Sequence, residues 1–207
     1  WPFILFSKKR YIGNKYEFKT GENDYKETSM GIVLKRRDNA EIVKHVYGGV
    51  INILMNQKNV ELSIKYLRDE LTKLLDGKFP LDMLVITKSL RGFYKNPDQI
   101  AHKVLADRIG VRDPGNKPKS NDRIPYVYIE KKGEIKLQGE RIETPEYIKE
   151  QKLKPDYMFY ITNQIYKPVL QILELCLKDP EEPFRNVLNK LEITSALFID
   201  GKEIRHL

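Results

Sequence analysis

The chain has 207 residues, 41% of them hydrophobic and 32% charged, with a formal net charge of +8. That length and apolar content suit one domain, or one and a half, with a real core, and they exclude a disordered tail. The positive balance points to a polyanionic partner, nucleic acid by default, because Lys and Arg neutralising phosphates supply most non-specific affinity; a lysine-rich surface with no partner fits the charge equally well.

The single cysteine, Cys176, forms no internal disulfide, which fits an intracellular, reducing compartment. His45, His102 and His206 lie at no spacing that builds a zinc site. No apolar run approaches membrane-spanning length. The apolar start at residues 1–6 lacks the basic flank and cleavage site of a signal peptide, and with no initial Met it reads as part of a longer polypeptide.

Residues 1–6 and 9–18 read as short strands, with Gly13-Asn14-Lys15 as the turn between them. Residues 31–34 are a brief apolar segment. Asn39 is the expected N-cap of a helix carrying Ile42, Val43, Val46, Tyr47, Val50, Ile51 and Leu54 at helical spacing. A second helix is expected over 60–75, with Leu62, Tyr66, Leu67, Leu71, Leu74 and Leu75 as its stripe and Gly77 closing it. A strand follows at 83–86, then a helix over 97–109 that ends near Gly110.

Residues 113–121 form a polar, Pro/Gly-rich loop of net positive charge. Residues 123–131 alternate as a strand, with a turn at Gly133 into 135–137. Thr144 caps a helix that has Pro145 at its first position. A longer helix starts at Tyr157, is interrupted at Pro168, and buries Val169, Leu170, Leu173 and Leu177. Residues 193–199 are apolar and suit a last strand or helix. The expected class is α+β: a small antiparallel sheet followed by a mainly helical body.

Lys8-Lys9-Arg10-Tyr11 places three cations and a phenol on an expected strand, so Lys9 shares a face with Tyr11 and Lys8 with Arg10. Cations that reach a minor groove bond the N3 and O2 acceptors that every base pair offers, and so grip a duplex without reading its sequence. The same run also suits a lysine-protected strand edge. In Lys35-Arg36-Arg37-Asp38, one arginine is free to bind phosphate while the other pairs with Asp38; an ordinary surface ion-pair cluster fits as well. Asp122 and Arg123 are placed to pair with each other, and His102 suits a satisfied structural histidine as readily as a ligand.

These segments recur with others in one order: Lys8 to Gly13, Met30 to Asn39, Ile86-Thr87-Lys88-Ser89-Leu90, Ala101-His102-Lys103-Val104-Leu105-Ala106, Arg112-Asp113-Pro114-Gly115, Asp122-Arg123-Ile124-Pro125-Tyr126-Val127, and Asp156 to Ile165 with Lys167-Pro168. Together they resemble the carboxy-terminal end of a family B (delta-like) DNA polymerase, closest in wording to those of large DNA viruses. The resemblance implies palm-edge strands with a primer-grip motif over 1–38 and a thumb over 39–207. It implies DNA contacts from Lys8, Lys9, Arg10, Tyr11, Lys35, Arg36, Arg37, Lys88, His102, Lys117, Lys119 and Arg123. Two positions depart from the family pattern: Met30 stands where Lys is usual, and Asn121 where Gly is usual. Asn tolerates left-handed backbone, so the turn at Asn121 is expected to survive.

The family's Asp-x-x-Ser-Leu-Tyr-Pro and Tyr-Gly-Asp-Thr-Asp segments, whose carboxylates hold the catalytic magnesium ions, do not occur in these 207 residues. The chain alone is therefore expected to bind no metal and to extend no primer. Its implied partners are primer–template duplex and the catalytic remainder of the polymerase, with a sliding clamp left open and no membrane. Its implied place is the nucleus or a cytoplasmic site of viral replication. Two other readings stand beside this one: a free-standing nucleic-acid-binding module derived from a thumb, and a protein-interaction domain that docks an acidic partner.

Overall fold

Two short antiparallel sheets and a series of helices make up the fold, which the computed structural model describes over residues 3–16, 25–36, 38–131, 133 and 137–189. Strands β1 (Phe3–Ser7), β2 (Arg10–Tyr16) and β3 (Tyr25–Met30) lie side by side in that order. The turn between β1 and β2 is Lys8-Lys9, and the expected turn residues Gly13-Asn14-Lys15 run inside β2 instead. Lys9 takes a φ of 66° while Lys8 does not, so the hairpin closes through one left-handed residue next to the register shift between Leu5 and Ser7. Gly13 is in the strand because Phe3 lies against its Cα, where any side chain would collide with the ring. β3 is almost wholly polar and is a strand by virtue of its pairing with β2, from Tyr11↔Met30 to Tyr16↔Tyr25.

A 3₁₀ turn (Val33–Lys35) leads to helix α1 (Glu41–Asn52), which starts two residues after Asn39 and runs into a π-helical turn (Ile53–Gln57). Helix α2 (Val60–Leu75) matches its expected span. Asn59 Oδ1 accepts from Leu62 N at 2.9 Å, while Gly77 (φ 67°) and Lys78 send their N–H groups back to Leu74 O and Lys73 O. Leu62 departs from the expected buried stripe and is half-exposed on the first turn. The strand expected over 83–86 is a 3₁₀ turn (Leu81–Leu84), with strand β4 following at Ile86–Ser89.

The helix expected over 97–109 divides into a 3₁₀ turn (Pro97–Gln99) and helix α3 (Ala101–Arg112), which passes through Gly110 rather than ending there. Gly110 serves packing: a Cβ on it would lie 2.7 Å from Cγ of Lys117, whose stem crosses the helix at that point. Strands β5 (Arg123–Tyr128) and β6 (Ile142–Glu143) complete the second sheet, in the order β4-β5-β6. Helix α4 (Pro145–Gln151) has the expected cap, Thr144 Oγ1 accepting from Tyr147 N. Next come α5 (Tyr157–Phe159), a π-helical turn (Tyr160–Ile165) and α6 (Tyr166–Leu173). The wide turn ends just before Pro168, which has no N–H to give to Gln164. Helix α7 (Glu182–Asn189) has no counterpart in the reading from sequence. The expected elements at 135–137 (in part) and 193–199 lie outside the described residues.

The chain divides into two compact units, one drawn from residues 1–36, 43–78 and 161–207, the other from 37–42 and 79–160. In the first, Ile12 and Ile32 share a core with Val46, Tyr47, Leu67, Leu71, Leu74, Val169, Leu173 and Phe184, all at 2% exposure or less. Each such aliphatic side chain contributes about 1.5–3 kcal/mol by leaving water. Arg68 on α2 bonds both carboxylate oxygens of Glu182 on α7, at 2.6 Å each. Glu70, 5% exposed, is held by His45 at 2.8 Å and Lys73 at 2.7 Å.

In the second unit, Tyr128 stacks on Phe159 with ring centroids 3.6 Å apart. Tyr160, fully buried, donates its hydroxyl proton to Leu84 O at 2.6 Å and accepts from Tyr128 N at 3.1 Å. Helix α3 is tied to β6 through Glu143, which takes Arg112 on both oxygens (2.7 and 3.1 Å) and has Arg108 Nε 3.0 Å away, out of line for a hydrogen bond. Arg108 also donates to Gly139 O at 3.0 Å and to Ile142 O.

Candidate nucleic-acid interface

Strand pairing assigns the side chains of the first sheet to faces. Leu5, Tyr11 and Met30 are direct cross-strand partners, as are Phe3, Gly13 and Thr28, so they share one face with Lys15 and Lys26. This face is open: Phe3 is 57% exposed, Leu5 62% and Met30 44%. The ring of Tyr11 stacks on Phe3 at 5.8 Å. The opposite face carries Ile12 and Asn14 into the core, and Arg10 belongs to it.

Arg10 donates to Gln171 Oε1 at 2.8 Å and lies 5.9 Å over the Phe6 ring. Its cation is therefore turned toward α6, away from the face of Tyr11. The expectation that Lys9 shares a strand face with Tyr11, and Lys8 with Arg10, is corrected: Lys8 and Lys9 are the exposed turn, where strand alternation does not hold. Gly31, with φ 64°, backs this turn so closely that any side chain there would strike the Lys9 carbonyl. Met30, where the resemblance leads to Lys, puts a thioether beside Tyr11 on the open face.

Lys35, at the end of its 3₁₀ turn, joins Lys15 and Lys26 around a shallow depression of about 270 Å³ that Glu27, Thr28 and Ser29 complete. Arg36 is exposed next to it, and Arg37 lies outside the described residues. Lys15 and Lys26 escaped the reading from sequence because residues 13–15 looked like a turn and no element was expected over residues 25–30.

The second unit gathers its cations at one end of the β4–β5 pair. The register runs from Ile86↔Tyr126 to Ser89↔Arg123. Beyond that end Leu90 N bonds Asp122 O at 2.8 Å and Asn121 N bonds Leu90 O at 2.9 Å. Asn121 has φ 74°, so it adopts the left-handed turn expected of it. Lys117, Lys119 and Arg123 line one groove of about 600 Å³ together with Asp122 and Glu146. Among the described residues, Asp122 does not pair with Arg123: its carboxylate accepts from Lys119 N at 2.7 Å, and the Arg123 guanidinium meets the Ser89 hydroxyl at 3.5 Å. Lys88 is exposed one residue along β4. Arg91 and Lys95 extend this basic end and were missed, although the interleaving of cations with Phe93 and Tyr94 was a signal in plain view.

His102 lies near the start of α3, its Nε2 3.1 Å from Tyr94 Oη, with its ring edge-on to that of Tyr94 at 5.9 Å. Burial pulls its pKa below the ordinary value of 6.5, aided by Lys88 and Arg91 and opposed by a hydrogen bond to the Ser89 backbone. The ionisable groups on the short helices packed against α3 are Asp98, Glu140 and Arg141. The folded state thus favours neutral His102 more than the unfolded chain does. Its contribution to stability is complete above the unfolded value and is lost as pH falls through the lower folded one. Denaturant midpoints should therefore drop on acidification from pH 7 to 5, and the drop should be smaller in His102→Gln; equal drops in the two proteins would contradict this.

Among the described residues, no group of three or more His, Cys, Asp or Glu side chains comes together to hold a metal ion, and no helix is long and apolar enough to cross a membrane. The sequence profile of DNA polymerase family B matches residues 1–176. The chain is 58% identical over 179 residues to a DNA polymerase of Pyramimonas orientalis virus, covering 86% of this chain and 15% of that protein. It is 48% identical over 194 residues to a DNA polymerase of Acanthamoeba polyphaga mimivirus, covering 90% and 11%. In fold it is similar to the family B DNA polymerase of Pyrobaculum calidifontis, with a TM-score of 0.65 and 25% identity over 84% of this chain and 21% of that one. The chain thus spans a small part of the length of its relatives, and over that part it belongs to DNA polymerase family B.

Proposed function

We propose that this chain is the palm-edge and thumb portion of a DNA-directed DNA polymerase, residues 1–38 and 39–207, and that it grips primer–template duplex without reading its sequence. The observation that supports this most is the open face of the first sheet, where a Lys8-Lys9 turn stands at the rim beside Tyr11 in a chain of this family. Lysines at a fixed turn reach minor-groove acceptors common to all base pairs, so the grip senses pairing geometry rather than base identity. The groove of Lys117, Lys119 and Arg123 serves as a phosphate contact. Catalytic magnesium belongs to carboxylates in the remainder of the polymerase, and none of the described residues is assigned to it.

Two substitutions test the division of labour. Lys9→Ala should weaken duplex binding by about 1–3 kcal/mol, the range for a lost base-edge bond. Lys119→Ala should cost less and lower the slope of log affinity against log salt by about 0.9, the value for one phosphate. Equal losses in the two variants would reduce the hairpin turn to a generic basic surface.

A further inference from the structure

We infer that the loop at residues 91–96 is a stacking site for an unpaired nucleic-acid base, with the ring of Phe93 as its platform; this rests on the nucleic-acid reading above and adds a second kind of contact to it. Phe93 is 82% exposed. A lone exposed phenylalanine is ordinarily unremarkable, but three features of its setting point to a ligand.

First, the loop is held in place. Tyr94 Oη accepts from Arg91 N at 2.8 Å and meets His102 Nε2 at 3.1 Å, so the residues on both sides of the Gly92-Phe93 pair are tied to each other and to α3. Gly92 lies against the neighbouring turn, where a Cβ would meet Ser120 Oγ at 3.4 Å. The ring is thus presented from a fixed backbone and has only two side-chain torsions to immobilise.

Second, the charge around it is mostly positive, with Asp98 and Asp122 as the nearby acids. Residues 88–96 contain Lys88, Arg91 and Lys95 and no acid. The adjoining turn adds Lys119 and Arg123 against one acid, Asp122, whose carboxylate is turned back onto the Lys119 backbone N–H. Such a surface attracts a phosphodiester backbone and disfavours a basic or neutral peptide.

Third, a phenyl ring has no donor or acceptor and bonds neither a phosphate nor a groove edge. What it offers is a π-face. Bases within a duplex have both faces covered by their neighbours, whereas an unpaired base has a face open for stacking, and such stacking tolerates any sequence. A cationic surround with one aromatic platform is the arrangement that single strands use.

The test measures binding of the 207-residue chain to three probes by fluorescence anisotropy: a long blunt duplex, the same duplex with a single-stranded overhang, and the single strand alone. Phe93→Ala and Phe93→Leu are expected to weaken binding to the overhang and the single strand by on the order of tenfold, with blunt duplex unchanged and Phe93→Trp close to wild type. At 82% exposure the ring does not support the fold, so melting temperatures should coincide. The site is overturned if Phe93→Ala binds all three probes like wild type, if it loses equally on blunt duplex, or if Phe93→Leu retains full affinity. Normal blunt-duplex binding with no effect at Phe93 removes only this site; failure of the wild-type chain to bind any probe removes the nucleic-acid reading and this site with it.

Discussion

Glu143→Ala is expected to cost about 3–5 kcal/mol of stability, the range for removing one partner of a buried charge pair. Glu143 is 4% exposed and faces two guanidiniums, so its loss leaves Arg108 and Arg112 partly desolvated with no counter-charge. Burial already pulls the pKa of Arg108 down, with the Glu143 charge opposing it, while the Glu143 hydrogen bond holds Arg112 up. Arg112 retains the Tyr147 ring 3.8 Å away, and both arginines keep some contact with solvent, which places the effect toward the lower end of that range. Against a total of about 5–15 kcal/mol for a typical domain the loss is still large. Lys65→Ala, which breaks an exposed pair with Asp69, serves as the comparison and should cost under about 1 kcal/mol. Urea midpoints measure both; similar shifts in the two variants would contradict a structural role for the Glu143 cluster.

Tyr160→Phe should cost roughly 2–6 kcal/mol although it removes a single atom. The hydroxyl satisfies the Leu84 carbonyl and the Tyr128 amide at once, and each buried group left without a partner costs about 1–3 kcal/mol. Burial raises the pKa of this hydroxyl far above that of a free phenol, so it stays protonated and able to donate. The ring remains, and with it the edge contacts to Tyr128 and Phe159, so the change isolates the hydrogen bonds. Hydrogen exchange at Tyr128 N reports directly: the amide should lose protection in the variant. Unchanged stability with full protection would mean that the hydroxyl is dispensable.

What was legible in the sequence were the features that neighbouring residues determine. Helix α2 has its cap at Asn59, its leucine stripe and its terminating glycine within a few residues of one another, and it forms where those signals place it. Thr144-Pro145 and the left-handed Asn121 are local signals of the same kind. The β1–β2 hairpin was misread because its cause is not local: Gly13 is a strand residue owing to Phe3, ten positions earlier, and Lys9 occupies a backbone region that Gly usually fills. β3 is a strand through its partner, not its composition. At the candidate interface, the family resemblance is what pointed to Lys8, Lys9, Lys117, Lys119 and Arg123. The pattern gave no warning that Arg10 is engaged by Gln171, a residue 161 positions away, or that Lys15 and Lys26 gather beside Lys35.

The proposed grip on duplex relies on phosphates and on acceptors shared by all base pairs. It is tested most directly by titrating the chain against two duplexes of equal length and unrelated sequence over a range of salt concentrations. Equal affinities are expected for the two, each falling linearly in log affinity against log salt with a slope that reports several phosphate contacts. A salt-insensitive affinity, or a strong preference for one of the two sequences, would contradict it.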